Sequence, residues 1–279
     1  MTTQTILITG GTSGIGKETA VALAKGGTTV AFTARTKEAG EAAQREIRER
    51  SGNAAVSFFV ADLSSLASVR HLAAEVLERY PRLNVLINNA GVLEQTRKLS
   101  PDGFEMDFAV NYLAPFLLTK LLLPALRAGA PSRIVNVSSS MHTEGAINFD
   151  DLQSEKHFDR YQAYAQSKLA LILFTKKLAK ELSGSGVTVN ALHPGVIGTE
   201  MTMRNVRTMN PIAAFIFKRT LLTPAQGAET SVFLAASPDV ADVSGEYFDK
   251  KKIVPASSLA HDEALADKLW DVAAKMTGL

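Results

Sequence analysis

The sequence predicts an α/β fold in which helices cover both faces of one doubly wound parallel sheet of about seven strands. Short apolar runs alternate with longer helical stretches along the whole chain, and this alternation is typical of parallel strands joined by crossover helices. The chain has 279 residues, of which 46% are hydrophobic, so it can build one large core but is short for two domains. We therefore expect a single domain over residues 1–279.

Seven apolar runs are the strand candidates, because a strand that is covered on both faces is apolar along most of its length. They span residues 5–9, 29–33, 55–60, 84–88, 133–138, 187–193 and 245–248. The helix candidates between them span residues 14–25, 36–50, 66–79, 103–126, 161–182 and 224–236. An amphipathic stretch at 262–276 carries the single tryptophan, Trp270, within a C-terminal helical region at 260–279. Two stretches without periodicity, 140–159 and 194–223, are long enough to be functional loops.

Composition and charge exclude several classes of protein. The chain carries 30 basic and 28 acidic residues, for a net charge of +2, and the two signs are interleaved, so we expect no nucleic-acid partner. The absence of cysteine excludes disulfides, thiolate zinc sites, iron–sulfur clusters and catalytic thiols. The five histidines have no metal-ligand spacing, so no metal is expected.

The sequence predicts neither a targeting segment nor an integral membrane segment. The apolar run at residues 6–8 follows Met1 closely and leaves no room for a leader, so we expect a cytoplasmic protein. Residues 108–126 are apolar, but Asn111, Lys120 and two prolines interrupt them. This stretch is therefore expected to be a buried helix.

A glycine-rich turn follows the first strand candidate and opens a helix. It reads Thr9-Gly10-Gly11-Thr12-Ser13-Gly14-Ile15-Gly16. Glycines at such a turn let the backbone approach a pyrophosphate, and the helix N-terminus supplies amide donors and the positive end of its dipole. The turn predicts a dinucleotide site, and ordinary loop chemistry is the alternative. The expected cofactor contacts are Gly10, Thr12, Ser13, Gly14 and Ile15.

The end of the second strand candidate indicates which dinucleotide binds. An acidic residue at this point binds the ribose 2′-hydroxyl of NAD, whereas an arginine accommodates the 2′-phosphate of NADP. Here Arg35 and Lys37 follow the strand, and no acid occurs before Glu38. The sequence therefore predicts NADP(H), with Arg35 as a contact. The alternative is that the two basic residues only begin a solvated helix.

Two polar clusters follow the third and fourth strand candidates, at the sheet edge where ligands bind in such folds. Asp62-Leu63 follows the third strand, and Asn88-Asn89-Ala90-Gly91 follows the fourth. Asp62 has two interpretations, a hydrogen bond to the adenine amino group or a cap for the next helix. The expected cofactor contacts are Asp62, Leu63, Asn89, Ala90 and Gly91.

A tyrosine, a lysine and a serine are the candidates for chemistry. Tyr164 and Lys168 are four residues apart and share one face of a helix candidate. A phenol titrates near pH 10, so it exchanges protons poorly at neutral pH unless its anion is stabilised, as a nearby ammonium does. One strand candidate runs into Ser138-Ser139-Ser140, and a serine hydroxyl there can hold an oxygen on which charge develops. Chance spacing on an amphipathic helix is the alternative.

These motifs occur in order over nearly the whole chain, and with them the sequence resembles the short-chain dehydrogenase/reductase family. The family pattern is Thr-Gly-x3-Gly-x-Gly, Asn-Asn-Ala-Gly, Ser and Tyr-x3-Lys. The resemblance implies a Rossmann-type sheet, with Tyr164 as the proton donor to a carbonyl oxygen or the proton acceptor from an alcohol. It implies that Lys168 holds the nicotinamide ribose and lowers the pKa of Tyr164. Ser139 matches the catalytic serine, with Ser138 and Ser140 as alternatives.

The same resemblance implies further site residues. Asn111 matches the asparagine that completes a water-linked proton relay in the family. The segment His193-Pro194-Gly195-Val196-Ile197-Gly198-Thr199 resembles the segment that grips the nicotinamide amide. The contacts that this implies are Pro194, Gly195, Val196 and Thr199.

Within the family, the sequence is similar to the retinol dehydrogenase and WW-domain oxidoreductase branch. Residues 152–156, the long gap between Ser139 and Tyr164, and residues 245–248 carry this similarity. The N-terminal membrane anchor and the WW module of that branch are not expected here. Retinal is therefore one candidate substrate among lipophilic carbonyls.

The segment after the nicotinamide contacts indicates the substrate class. Residues 201–222 are rich in methionine, phenylalanine and branched aliphatic residues, typical of an adaptable apolar lid. We expect a lid at 194–223 over a small lipophilic aldehyde, ketone or alcohol; packing of a short helix onto the core is the alternative. The alternative function is a catalytically silent NADP-binding sensor or scaffold. A monomer or homodimer is favoured over a tetramer, because the 140–159 loop obstructs the helices through which family members pair.

Overall fold

Eight strands form one sheet in the computed structural model, which describes residues 4–198 and 221–279. They are β1 (Thr5–Ile8), β2 (Thr29–Ala34), β3 (Val56–Val60), β4 (Val85–Asn88), β5 (Ser132–Val137), β6 (Val187–His193), β7 (Tyr247–Asp249) and β8 (Lys252–Ile253). Their order is β3-β2-β1-β4-β5-β6-β7-β8, and the pairing is parallel up to β7 and antiparallel between β7 and β8. The predicted doubly wound parallel sheet is confirmed.

The strand that the sequence did not predict is β8, which forms a hairpin with β7. It has two residues, both exposed, and therefore lacks the apolar run of a buried strand. The turn before it places Lys250 and Lys251 at φ values of 48° and 65°. Hairpin turns of this kind usually carry glycine or asparagine. The predicted count of seven strands is therefore one too low, because neither strand nor turn has its usual sequence signal.

Helices cover both faces of the sheet. Those in the described residues are α1 (Gly14–Lys25), α2 (Lys37–Ser51), α3 (Leu66–Arg79), α4 (Met106–Phe108), α5 (Ala114–Ala128), α6 (Arg160–Glu181), α7 (Pro224–Ala236) and α8 (Glu263–Thr277). Thr36, Ser65 and Asp159 precede α2, α3 and α6, and each accepts hydrogen bonds from amides of the first turn. Because Thr36 caps α2 from outside, this helix begins one residue later than predicted.

Helices α4 and α5 are the two ends of one continuous apolar helix, joined by a π-helical turn at Ala109–Leu113. By length and composition alone, the helix at Met106–Ala128 could cross a membrane, but 78% of its most apolar 18-residue stretch is buried inside the protein. It therefore has the character of a core helix, as predicted for this stretch. The π turn matters for the site because it carries Asn111.

The two faces of the sheet have separate apolar cores. Along β1, Leu7 packs with residues of α3, α5 and α6, whereas Ile6 and Ile8 pack with residues of α1, α2 and α7. All three side chains are at most 1% exposed. This two-sided burial explains why the strands are apolar along their whole length rather than alternating. It leaves the carboxyl ends of the strands as the open edge.

The C-terminal helix α8 is fixed across α5 and α6 by Trp270. The indole meets Phe116 edge-on at a centroid distance of 5.0 Å and stacks with Phe174 at 5.7 Å. The ammonium nitrogen of Lys120 lies 4.6 Å from the indole ring. The outer surface of the α5 and α6 pair is therefore partly covered by the chain's own C-terminus.

We expect Trp270→Ala to lower the free energy of unfolding by about 3 kcal/mol, because it removes a half-buried indole with aromatic and cation contacts. Trp270→Phe retains an aromatic ring between the same neighbours and should lose clearly less. Urea unfolding followed by far-ultraviolet circular dichroism measures both variants. An unchanged midpoint for the alanine variant would contradict the docking of α8.

Candidate active site at the carboxyl edge of the sheet

The loops after β1 and β4 meet at the carboxyl edge of the sheet. These strands are neighbours, and the strand order reverses between them, which opens the crevice where open α/β sheets bind ligands. The side-chain nitrogen of Asn89 donates to the carbonyl oxygen of Thr9 at 2.8 Å. Oγ1 of Thr9 accepts from the backbone amides of Asn89 and Ala90 at 2.9 and 3.0 Å. The two loops are thus held as one unit.

The glycine turn leaves the start of α1 open. Gly10 has a φ of +71°, and a Cβ on Gly16 would lie 2.2 Å from the carbonyl oxygen of Gly10, so α1 approaches the turn this closely only with glycine. The cap residue Ser13 makes no side-chain capping bond, and the first turn carries no acidic residue. Amides and the positive dipole end of α1 can therefore receive an anion, which fits a pyrophosphate. The predicted contacts Thr12, Ser13, Gly14 and Ile15 all lie on this turn, and none is fully buried.

Arg35 directly follows β2, and its side chain is exposed at the same edge of the sheet. The residue that caps the start of α2 is Thr36. Its hydroxyl accepts a hydrogen bond from the backbone amide of Ala39 at 3.3 Å. Arg35 therefore has no part in capping the helix. It stands one residue beyond a strand end, in the position from which a side chain can reach a ribose.

Asp62 follows β3 and shapes the turn that leads into α3. Its Oδ1 atom accepts from the backbone amide and the hydroxyl of Ser64 at 2.9 and 2.7 Å. The cap of α3 is Ser65. Of the two interpretations of Asp62, the helix cap is therefore not what the structure shows. The adjacent Leu63 is half-buried against the core.

The structure distinguishes the three consecutive serines after β5. The hydroxyl of Ser138 donates to the carbonyl oxygen of Lys168 at 2.9 Å, so it is turned toward the backbone of α6. The hydroxyl of Ser139 accepts from the backbone amide of Met141 at 3.2 Å, and its side chain lowers the pKa of Tyr164. Ser140 is exposed at the start of a short 3₁₀ turn. Ser139 is therefore the serine that the structure brings to the tyrosine.

Lys168 lies one turn after Tyr164 on α6 and is 3% exposed. Its ammonium nitrogen donates to the carbonyl oxygen of Val137 at 3.0 Å and lies 5.5 Å from the centroid of the Tyr164 ring. Gly91 makes room for it, since a Cβ there would lie 3.3 Å from Nζ of Lys168 and 3.2 Å from Oδ1 of Asn111. The loop after β4 thus reaches the same point as the helix.

Burial sets the protonation states of the tyrosine and the lysine. It raises the pKa of Tyr164 to about 12, because the hydrogen bond from Ser139 lowers this pKa by less than burial raises it. Burial also lowers the pKa of Lys168 to about 8, against the opposing negative charge of Asp107. The expected lowering of the tyrosine pKa is therefore not found in this arrangement. At neutral pH the site pairs a neutral phenol with an ammonium.

Asn111 ties the loop after β4 to α6. Its side-chain nitrogen donates to the carbonyl oxygen of Val92 at 2.9 Å and to the hydroxyl of Ser167 at 3.0 Å. Its Oδ1 atom accepts from the backbone amide of Val92 at 2.8 Å. The residue is fully buried on the π-helical turn, a feature that often marks functional positions.

Asp107 is an acidic residue of the site that the sequence did not predict. Asp107 is 0% exposed, and burial together with the charge of Glu105 raises its pKa to about 8. Its Oδ1 atom accepts from the backbone amide of Glu94 at 3.1 Å, while Oδ2 has no hydrogen-bond partner among the described residues. When it is ionised, its negative charge raises the pKa of both Tyr164 and Lys168. A carboxylate inside the apolar stretch at 103–126, four residues before Asn111, was the available signal.

The predicted nicotinamide segment begins where β6 ends. Pro194 and Gly195 are half-buried, and Val196 is exposed. The backbone amide of Gly198 donates to the carbonyl oxygen of Leu222, and the amide of Leu222 donates to the carbonyl oxygen of Val196, at 3.0 Å each. The two ends of the predicted lid are thus held side by side. Thr199 and residues 200–220 of that lid lie outside the described residues.

The chain is similar to proteins of known family over its full length. The family model described as short chain dehydrogenase matches residues 4–210. Human retinol dehydrogenase 13 is 44% identical over 285 residues, which cover 99% of this chain and 85% of that protein. Human retinol dehydrogenase 14 is also 44% identical, with 99% of this chain and 87% of that protein covered.

Solved structures show the same architecture. A protein from Mycobacterium paratuberculosis superposes with a TM-score of 0.81 at 32% identity, covering 99% of this chain and 93% of that one. The Pseudomonas aeruginosa RhlG/NADP active-site complex superposes with a TM-score of 0.72 at 28% identity, covering 88% and 93%.

Proposed function

This chain belongs to the short-chain dehydrogenase/reductase family, in its retinol dehydrogenase branch, and we propose that it is an NADP(H)-dependent oxidoreductase that interconverts a hydrophobic aldehyde or ketone and its alcohol. The observation that carries the proposal is that Lys168 lies beside Tyr164, on which Ser139 also acts, next to Gly91 of the loop after β4. A nicotinamide cofactor supplies the hydride chemistry itself. The residues of the chain therefore have to bind the cofactor and the substrate, orient them, and move one proton.

The cofactor contacts follow the open edge of the sheet. The turn at Gly10, Thr12, Ser13, Gly14 and Ile15 would hold the pyrophosphate, and Arg35 the 2′-phosphate. Asp62 and Leu63 would contact the adenine, and Asn89, Ala90 and Gly91 would contact the ribose. Tyr164 and Lys168 would hold the nicotinamide ribose, and Pro194, Gly195, Val196 and Thr199 the amide. The NADP complex of the Pseudomonas aeruginosa neighbour supports this cofactor.

Tyr164 is the proton donor in carbonyl reduction. With a pKa of about 12 it stays protonated through the ordinary pH range, which is the form that donates to a carbonyl oxygen. The hydroxyl of Ser139 can hold the same oxygen while negative charge develops on it. The ammonium of Lys168 favours the phenolate that is left after transfer. Asn111 holds the loop after β4 and helix α6 around Lys168. It would also complete the water-linked relay that returns a proton to Tyr164.

The substrate is a lipophilic carbonyl or alcohol. The hydrogen bonds of Val196 and Gly198 with Leu222 hold the two ends of the 194–223 segment side by side, next to the proposed nicotinamide contacts. Its apolar composition favours a bulky hydrophobic substrate. Retinal is one candidate of this class. We expect kcat/KM for straight-chain aldehydes, followed by NADPH absorbance, to rise from three to ten carbons, and a steady fall would contradict the proposed substrate class.

Arg35 is the residue on which the cofactor preference depends. Replacing it with alanine removes a charged hydrogen-bond donor for a phosphate, which contributes about 1.5–3 kcal/mol. We therefore expect Arg35→Ala to lower the ratio of kcat/KM with NADPH to kcat/KM with NADH by about 10- to 100-fold.

The matched control is Arg82→Ala, which makes the same charge change at an exposed position before β4. It should leave the ratio unchanged. A wild-type preference for NADH, or an equal shift in both variants, would contradict the role of Arg35.

We propose a cytoplasmic single-domain protein that is a monomer or a homodimer. The packing of α8 on the outer surface of α5 and α6 supports the smaller assemblies over a tetramer, because Trp270 covers part of a surface that a further copy could use. Sedimentation equilibrium of the full chain measures the mass, and a tetramer would contradict the proposal.

A further inference from the structure

Two histidines hold one peptide unit next to the catalytic serine. The ring nitrogen Nδ1 of His142 lies 2.8 Å from the carbonyl oxygen of Ser139. The backbone amide of Ser140 donates to Nδ1 of His193 at 3.1 Å. The carbonyl oxygen of Ser139 and the amide of Ser140 belong to the same peptide bond. That bond is therefore held at its acceptor by one imidazole and at its donor by another.

The hydrogen bonds fix the tautomer of each ring. The backbone amide of Ser257 donates to Nε2 of His142 at 3.1 Å, so Nε2 carries no proton and Nδ1 donates to Ser139. His193 has the opposite arrangement, because its Nδ1 atom accepts and its proton must be on Nε2. Each ring needs a free lone pair, and only a neutral imidazole has one.

Packing keeps both rings in this state. His142 is 1% exposed and meets the Tyr247 ring edge-on at 4.7 Å. Burial lowers the pKa of both histidines below the usual value, by more than any charge nearby changes it. The titratable groups that act on His193 are Asp249, which raises its pKa, and His142 and Lys250, which lower it.

We propose that His142 and His193 are positioning residues that, as neutral imidazoles of opposite tautomer, orient Ser139 toward Tyr164. The role rests on the proposed function, since it acts through Ser139 on the substrate oxygen. Rotation of the peptide between Ser139 and Ser140 would break both histidine bonds. The hydrogen bond of Ser257 extends the arrangement to the segment before α8, so the C-terminal part of the chain helps to set the geometry of the site.

We expect kcat to fall at acid pH if both histidines must stay neutral. A proton added to Nε2 of His142 would point at the amide of Ser257, and one added to Nδ1 of His193 would point at the amide of Ser140. Because the folded-state pKa values lie below the ordinary value of about 6.5, both bonds persist above that pH and are lost as the pH falls further. We expect kcat to fall in the same window.

Substitution separates orientation from bulk structure. Leucine removes the side-chain hydrogen bonds at either position. Asparagine has a side-chain amide near the place of Nδ1, and this amide does not titrate. At position 142 it can donate to the carbonyl oxygen of Ser139, and at position 193 it can accept from the backbone amide of Ser140. We expect His142→Leu and His193→Leu to lower kcat by about 10- to 100-fold with NADPH affinity unchanged. We expect His142→Asn and His193→Asn to recover most of kcat, each with a smaller acid limb. His71→Leu, at an exposed position, is the control.

A measurement on the wild-type protein needs no substrate and no destabilising variant. Two-bond proton–nitrogen correlation spectra of protein with ¹⁵N-labelled histidine report the tautomer and the pKa of each ring. We expect His142 as the Nδ1–H form and His193 as the Nε2–H form, both as neutral rings at pH 7. The asparagine variants assign the signals.

The outcomes are distinct. Equal tautomers, or titration of either ring in the ordinary range, would overturn the proposal. Leucine variants with wild-type kcat, or asparagine variants as slow as the leucine ones, would overturn it too. If the wild type reduces no aldehyde, the proposed function fails instead, and the spectra still decide how the peptide is held.

Discussion

Replacement of Tyr164 by phenylalanine is expected to lower kcat for aldehyde reduction by about 10²- to 10⁴-fold, the range that a positioned general acid contributes. The variant keeps the ring beside Lys168 and loses only the hydroxyl that Ser139 contacts and that donates the proton. NADPH affinity, measured by the fluorescence of the bound cofactor, should change little. Steady-state rates with one hydrophobic aldehyde are the measurement.

A matched control is Tyr161→Phe. Tyr161 lies on the same helix, is 41% exposed, and loses only a hydrogen bond from Arg160. It should keep wild-type kcat. Equal rates for wild type and Tyr164→Phe would contradict the role of Tyr164.

Lys168→Met is expected to lower kcat/KM for reduction by about 10²- to 10³-fold, because it removes the ammonium that, in the proposed mechanism, stabilises the phenolate and holds the ribose. Methionine keeps most of the apolar stem in a position that is 3% exposed, so packing is largely retained. In the wild type, kcat/KM should fall as the pH rises through about 8, where Lys168 loses its proton. In the variant this limb should be absent. A pH series from 6 to 10 measures both effects.

Lys176→Met controls for the loss of a lysine on α6. Lys176 also donates to a backbone carbonyl, that of Gly245 at 3.2 Å, but it lies two turns further along the helix. It should retain wild-type kcat/KM and the alkaline limb. A limb that persists in Lys168→Met would assign the titration to another group and contradict the account.

The nucleotide end of the molecule was predictable because its chemistry is local in sequence. The turn from Gly10 to Gly16 and the Arg35 position follow single strands, and the parallel order of β1, β2 and β4 brings them to one edge. The family resemblance favoured Ser139 among the three serines but left Ser138 and Ser140 open, because the choice depends on which hydroxyl bonds the backbone of α6. Ser138 bonds that backbone and leaves Ser139 to Tyr164.

The electrostatics of the site needed the three-dimensional structure. Sequence spacing suggests that Lys168 lowers the pKa of Tyr164, but burial raises this pKa, and the group that opposes burial is the side chain of Ser139. Asp107 and the two histidines act across long sequence separations. His142, for example, bonds Ser257, which is 115 residues away. Such contacts depend on tertiary packing, and no local pattern encodes them.

Hydride transfer can be followed with NADPH deuterated at the nicotinamide C4, prepared as both stereoisomers, and a hydrophobic aldehyde. We expect one of the two isomers to give an alcohol one mass unit heavier, with the label on the carbonyl carbon and a rate that falls in Tyr164→Phe. Tight NADPH binding without labelled alcohol from either isomer, across the whole aldehyde panel, would contradict the proposed hydride transfer.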